Sequence, residues 1–233
     1  GSLGIPLPPT TQWELVEGAA DLVEPAFGEL IRQAAQGEVL HNDDTTMKIL
    51  NLDRESLMGE DAAGGAGKRT GVFTTGIIST RDGHRVALFF TGVRHAGENL
   101  AEVLKMREAE LPPPIQMCDA LSRNLPGEFK TLLANCLVHG RRGFVEIVDS
   151  FPTECRYIIE TLKEVYKHDA EAKKQNLTAA ERLALHQAKS GPLMDEMEVW
   201  LKAQIVENRV EPNSELGKAI AYMRKHWPAL TLF

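Results

Sequence analysis

The run Gly71-Val72-Phe73-Thr74-Thr75-Gly76-Ile77-Ile78-Ser79-Thr80, then Arg81-Asp82-Gly83-His84, then Arg85-Val86-Ala87-Leu88-Phe89-Phe90-Thr91 reads as two β-strands joined by a tight turn. β-Branched and aromatic residues fill both flanks, and Asp-Gly tolerates the positive backbone angles of a two-residue hairpin loop. Working outward, residues 38–52, with Val39, Leu40, Met47, Ile49 and Leu50, read as a preceding strand, and Ile115-Gln116-Met117-Cys118 as a short later one. Between them, residues 96–110 place Leu100, Val103, Leu104 and Met106 at helical spacing, and Pro112-Pro113-Pro114 closes that helix. Asn135-Cys136-Leu137-Val138-His139 reads as one more strand, running into a helix over 143–149. Residues 61–70, with three glycines, form a loop without a packing pattern.

Both flanks of this β region are helical. In residues 11–36, Trp13, Val16, Ala20, Val23, Phe27, Leu30 and Ile31 recur at helical spacing, with Thr10 or Thr11 as the expected cap and Pro25 as a break into two helices. After Phe151 helical periodicity takes over in 156–172, 179–206 and 214–226. Thr178-Ala179-Ala180-Glu181 is a capping box, and Ser214 is a suitable cap for the last of these helices. Trp13, Trp200 and Trp227 are expected as packing anchors. The order implies a mixed α/β core with an all-α appendage: a helical lead at 1–38, a core at 39–150 and a helical region at 151–233.

Composition excludes several classes. With 43% hydrophobic and 25% charged residues, the 233-residue chain is unlike a disordered polymer. No apolar run approaches the roughly 20 residues a bilayer-crossing helix needs, and no signal-peptide pattern opens the chain, so a cytoplasmic protein without membrane partners is expected. Three scattered cysteines give neither a disulfide framework nor a zinc site. A net charge of −7 argues at first against a polyanion partner, but the surplus is local: 14 Lys and Arg face 21 Asp and Glu before Ser150, and 12 face 12 after it. Between Leu121 and Phe144 the balance reverses, with Arg123, Lys130, His139, Arg141 and Arg142 opposed by Glu128 alone.

Asp43, beside Asp44 within His41-Asn42-Asp43-Asp44-Thr45-Thr46, and Asp119, at the end of Ile115 to Cys118, stand at strand positions. Carboxylates on neighbouring strands supply the hard oxygen donors that Mg²⁺ or Mn²⁺ prefers, and in two-metal phosphoryl chemistry ions roughly 3.5–4 Å apart serve the attacking and leaving oxygens. From spacing alone, the preferred account is that these acids end a strand or open a turn, since acids at strand ends are common. Cys136-x-x-His139 followed by Arg141-Arg142 lacks a second ligand pair for zinc and fits a cleft edge that meets phosphates, or simply a solvated helix start. Gly64-Gly65-Ala66-Gly67-Lys68-Arg69-Thr70 fails as a phosphate loop, because Ala62 and Arg69 occupy positions where the motif needs Gly and Ser or Thr; Lys68 and Arg69 are left as contacts to DNA backbone.

Taken in order, Val39-Leu40-His41-Asn42-Asp43-Asp44-Thr45, Ile115-Gln116-Met117-Cys118-Asp119-Ala120 and Asn135-Cys136-Leu137-Val138-His139-Gly140-Arg141-Arg142-Gly143-Phe144 resemble the insertion sequence sixty-six family of bacterial transposases. Residues 177–187, Gly217-Lys218-Ala219-Ile220-Ala221-Tyr222 and His226-Trp227-Pro228-Ala229-Leu230 resemble it as well. The resemblance implies a ribonuclease-H-like core of the DDE type. It matches the first two acids to Asp43 and Asp119 as catalytic and metal-holding residues for Mg²⁺ or Mn²⁺, and makes transposon-end and target DNA the partners. It also implies a nucleoid-associated protein of DNA recombination, with self-association left open. Arg123, Lys130, His139, Arg141 and Arg142 are the expected DNA contacts. Asp44 stands where the family has Glu, Thr46 where Pro is common, and Ala120-Leu121 where a Tyr-containing turn is usual.

The family's third acid lies in a motif of paired Asn followed by Glu-Arg beyond the helical stretch. The expectation is that this chain is a fragment ending short of it, also without the amino-terminal zinc finger and DNA-end-binding parts, and is catalytically poor by itself. Two rival readings remain: a catalytically inactive, transposase-derived module that binds DNA or protein, and a metal-dependent nuclease on the same fold.

Overall fold

The computed structural model describes residues 7–47 and 71–233, so the expected extension of the first strand to Leu52 and the Gly-rich loop with Lys68 and Arg69 lie outside the described residues. Helix α1 runs unbroken over Pro9–Ala35, with Pro25 inside it. The expected break is absent, because a proline on an exposed helix removes one hydrogen bond without having to split the helix. Thr10 and Thr11 lie inside α1 and no side chain caps it; Pro9 opens the helix where a missing N–H costs nothing.

Strands β1 (Val39–Met47), β2 (Val72–Arg81) and β3 (His84–Gly92) form an antiparallel ribbon in which Asp43 faces Gly76 and Gly76 faces Phe89. The hairpin turn has Asp82 at φ 49° and Gly83 at φ 76°, the pair of positive angles that Asp-Gly predicted. Helix α2 (Ala96–Leu104) is shorter than expected. Beyond it the chain turns, because the Arg107 guanidinium donates to the carbonyls of Ala35 at 2.7 Å, Gly37 at 2.8 Å and Pro112 at 2.7 Å and pulls the backbone out of helical register. Strand β4 (Ile115–Cys118), a single 3₁₀ turn at Ser122–Asn124 and strand β5 (Leu132–Asn135) follow, completing a five-stranded mixed sheet of order β3-β2-β1-β4-β5. Leu137–Glu146 is helix α3, so His139 stands on a helix and not on the expected strand. The ladder bond from Cys136 N–H to Cys118 O (3.0 Å) gives way at once to the turn bond from His139 N–H to Cys136 O (3.1 Å).

Two compact units share this chain. One comprises residues 1–116 and 121–132, and the other 117–120 and 133–233. In the first, Leu40, Ile77, Leu88, Leu100, Val103 and Leu104 pack with Ala34 and Ala35, the docked end of α1. Strand alternation turns Leu40, Asn42 and Asp44 toward this core and His41, Asp43 and Thr45 away from it.

The second unit is helical apart from its share of β4 and β5. Helices α4 (Pro152–Lys174), α5 (Ala179–Leu185), α6 (Gly191–Val206), α7 (Glu215–Lys225) and α8 (Trp227–Leu230) join α3 around Phe144, Ile158, Leu162, Met194, Met197, Leu201, Ile220 and Met223. Thr178 and Ser214 cap α5 and α7 as expected. The helix expected over 179–206 is interrupted by a wide π turn at His186–Ser190, where the buried Ser190 hydroxyl meets His168 Nδ1 at 3.0 Å and His186 Nδ1 at 2.9 Å. Trp227 is buried and Trp200 packs on Tyr157, but Trp13 is 66% exposed on α1 and is not a packing anchor among the described residues.

Burial holds His41, His186 and His226 below the ordinary histidine value of 6.5; Arg85 adds to the effect at His41, Arg182 and His168 at His186, and Lys225 at His226, while Asp169 partly opposes it at His186. A base with a lowered folded pKa is kept neutral by the fold, whereas the unfolded chain takes up the proton at higher pH. Their contribution is therefore whole above the unfolded value and is lost as pH falls through it. The urea midpoint is expected to drop between about pH 7.5 and about pH 5, well before carboxylates protonate. A flat midpoint over that window would contradict the assignment.

Candidate functional site

The neighbouring aspartates of β1 have opposite roles. Asp44 has a side chain 1% exposed, and its carboxylate accepts hydrogen bonds from Thr75 Oγ1 at 2.7 Å and the Ala96 N–H at 3.0 Å, with His95 Nδ1 at 3.1 Å. Thr75 Oγ1 in turn accepts from Asn99 Nδ2 at 2.8 Å, and Glu98 accepts the His95 N–H at 2.8 Å. A carboxylate at the first turn of α2 answers both the unsatisfied N–H groups and the positive end of the helix. Asp44 is thus consumed in fastening α2 to the sheet.

Asp43 is exposed on the opposite face, where its Oδ1 accepts the Asp44 N–H at 2.9 Å. On the β2 side Gly76 stands across the ladder, so no side chain at that position of β2 crowds the carboxylate. Phe89 follows on β3, close enough to Gly76 that a Cβ there would lie 3.6 Å from its ring.

The loop carrying Arg123 and Lys130 is held to the first unit by a buried amide network. Asn42 Nδ2 donates to Asn124 O at 2.8 Å, and Gln116 Nε2 donates to Asn42 Oδ1 at 2.9 Å and to Asn124 O at 2.7 Å. Thr131 Oγ1 closes the network on Gln116 Oε1 at 2.9 Å. The carbonyls of Arg123 and Leu125 press on Gly97 in α2 so closely that a Cβ would lie 2.7 Å from the first and nearer still to the second. Arg123 and Lys130 are exposed on this fixed backbone.

His139, Arg141 and Arg142 belong to the second unit with Asp119. Asp119, half-buried just after β4, lies near the Tyr222 phenol, which burial pushes up, with the charge of Asp119 adding and the Ala120 backbone opposing. The Tyr166 phenol is also pushed up by burial, Cys136 adding and Arg141 opposing. Asn135, 3% exposed, has neither side-chain polar atom in a hydrogen bond, and the same is true of His139 Nδ1 and Tyr166 Oη. Arg142 is exposed on α3. Asp119 and Cys136 thus bear electrostatically on Tyr222, and Cys136 and Arg141 on Tyr166, within the second unit.

Sequence reasoning missed the supporting residues Thr75, His95, Asn99, Asn42 and Gln116 around the first acid, and Asn135, Tyr166 and Tyr222 around the second. His95-x-x-Glu98 before an apolar helix was a legible capping signal; the others are ordinary polar residues until the fold collects them. Among the described residues no three His, Cys, Asp or Glu side chains converge as a cation site. Asp43 and Asp119 are nonetheless of the donor type a hard divalent cation takes. No helix among the described residues is long and apolar enough to cross a membrane.

The fold and these residues define the chain first by class: a mixed α/β protein with acids on or just beyond sheet strands and basic residues on a loop and a helix start. The sequence model of the Transposase IS66 family matches residues 1–233, and the chain belongs to that family. Two similar proteins come from Sinorhizobium fredii (strain NBRC 101917 / NGR234). Uncharacterized protein y4hP is 27% identical over 254 aligned positions, 99% of this chain and 42% of that protein. Uncharacterized protein y4jD is 36% identical over 104 residues, 43% of this chain and 19% of that protein. The matches thus span less than half of either relative's length. No solved structure matches the chain.

The two acids are separable by stability. Asp44→Ala leaves a buried hydroxyl and a helix N–H without their acceptor and is expected to cost about 3 kcal/mol, whereas Asp43→Ala should change stability by less than about 0.5 kcal/mol. Equal urea midpoints for the two variants would refute this division of roles.

Proposed function

We propose that this chain is the carboxylate-bearing part of a DDE transposase, with a ribonuclease-H-like core over residues 39–150, a helical lead over 1–38 and an all-α insertion over 151–233. Family membership supports a function in transposition. The observation that carries the finer reading is Asp43, presented on the open face of β1 opposite Gly76 while its neighbour is spent on structure. The order β3-β2-β1-β4-β5 supports the ribonuclease-H-like assignment, because the strand bearing Asp43 is central and the strand leading to Asp119 is next to it.

In this reading Asp43 and Asp119 supply oxygen donors for Mg²⁺ or Mn²⁺, which when bound polarises phosphate and hydroxyl oxygens. Arg141 and Arg142, with planar guanidinium groups suited to bidentate phosphate contact, hold the DNA backbone at the start of α3, and His139 stands in the same turn. Arg123 and Lys130 add positive charge on the loop before β5. The reaction is hydrolysis of a strand at the transposon end, followed by joining of the freed 3′-hydroxyl to target DNA. The intact protein is its agent.

Calorimetric titration of Mn²⁺ into this chain should give weak binding that falls at least tenfold in Asp43→Asn and in Asp119→Asn. Superimposable curves for all three proteins would exclude these acids as ligands and favour a non-catalytic module. For DNA, Arg142→Ala should weaken binding equally across sequences and lower the log–log salt slope by about 1. An unchanged slope would remove Arg142 from the interface.

A further inference from the structure

Helix α7 meets α3 at two glycines. Gly140 and Gly143 stand one turn apart in His139-Gly140-Arg141-Arg142-Gly143, and both face α7. A Cβ on Gly140 would lie 2.5 Å from Met223 Sδ and 3.8 Å from Tyr222 Cε1, and one on Gly143 would lie 3.6 Å from the Ala219 Cβ. No side chain at 140 fits without displacing Met223, which is wholly buried in the helical core. The distance between packed helices is set by the side chains at their contact, so the glycines bring α7 onto the backbone that carries His139, Arg141 and Arg142.

At its start α7 is pinned as well. Ser214 Oγ accepts the Gly217 N–H at 3.0 Å, and a Cβ on Gly217 would stand 2.6 Å from the Pro212 carbonyl oxygen. Beyond its end, Trp227 and Leu230 are buried. A helix held in this way leaves Tyr222 little freedom. Its half-buried ring lies against Gly140 and meets the His226 ring with centroids 4.9 Å apart.

The phenol oxygen of Tyr222 is hydrogen-bonded to the backbone of Ala120, and the charge of Asp119, one residue earlier, bears on it. That hydrogen bond favours the phenolate, which identifies the backbone group as the donor, the Ala120 N–H. One side chain thus touches the turn that holds the second acid and the helix that holds the basic residues. Strand β4 ends at Cys118, whose carbonyl accepts the Cys136 N–H at 3.0 Å, so Asp119 stands just past the strand. A carboxylate on a turn is placed only as well as the turn is.

We infer that Tyr222 is a positioning residue for the second acid: its phenol holds Ala120 beside Gly140 of α3 and so fixes the turn from which Asp119 presents its carboxylate. The inference rests on the reading of Asp119 as an oxygen donor to a divalent cation. It gives the helical region a task in that site, since groups that orient a ligand change metal affinity without touching the ion.

Tyr222→Phe keeps the ring on Gly140 and removes the hydroxyl. In the metal-free protein the Ala120 amide should then exchange with deuterium about tenfold faster, while the Ile158 and Leu162 amides of the core keep their rates. Titration with Mn²⁺ should show binding about fivefold weaker, and adding Tyr222→Phe to Asp119→Asn should weaken it no further. Met223→Leu, which alters the same contact with Gly140 without touching a polar group, should bind Mn²⁺ like the wild type. An unchanged Ala120 rate, faster exchange throughout the core, additive losses in the double variant or an equal loss in Met223→Leu would each overturn the inference. So would wild-type Mn²⁺ affinity in Tyr222→Phe alongside a loss in Asp119→Asn, a result that leaves Asp119 a ligand. Wild-type affinity in Asp119→Asn itself would instead remove Asp119 as a ligand, and this inference would fall with it.

Discussion

Successive residues of a strand face opposite sides of the sheet, and in β1 that rule acts on a pair of adjacent carboxylates. Asp44 turns inward and meets the start of α2, where its charge is answered by an N–H, a hydroxyl and an imidazole. The helix so fixed delivers Leu100, Val103 and Leu104 to the core against Leu40, Ile77 and Leu88. The backbone that holds Asp44 is also the backbone that aims Asp43. The side-chain anchoring of this backbone is done by Asp44, one residue away from Asp43. The short side chain of Asp44 serves as this anchor because β1, β2 and α2 approach closely enough for it to reach.

The distribution of charge follows the same separation of tasks. Net charge describes solubility and long-range approach, and a surplus of −7 would discourage a polyanion if it were spread evenly. It is not spread evenly. Four acids lie on the exposed first half of α1, Asp44 is buried among its hydrogen-bond partners, and the exposed cations Arg123 and Lys130 ride on a loop whose backbone is tied by Asn42 and Gln116. Side chains on a fixed backbone lose less freedom when they meet a ligand, which favours their use in binding.

Local signals in the sequence were reliable where one residue type decides the geometry. Asp82-Gly83 set the hairpin, Thr178 and Ser214 set two helix starts, and the alternation through β1 separated Asp43 from Asp44. Readings failed where a distant residue decides. Arg107 ends α2 by reaching carbonyls on the far side of α1's last turn, and Ser190 widens a helix by engaging His168 from another helix, neither of which periodicity registers. Pro25 and Trp13 failed for a related reason: both were read as if α1 were packed along its whole length, and its first half is exposed. At the second acid, Asp119 and the α3 cations could be named, while the phenols of Tyr166 and Tyr222 come from helices far along the chain.

The π turn in the helical unit sets a rule for protons. The Ser190 hydroxyl has one hydrogen and stands between two imidazole nitrogens, His168 Nδ1 and His186 Nδ1. With both rings neutral it can donate to only one of them, so the other must be the tautomer that donates to it. The two rings therefore hold opposite tautomers at their Nδ1 atoms, and a change in one obliges a change in the other across a single oxygen. Helix α4 and the π turn before α6 are in this way linked by the position of one hydrogen atom.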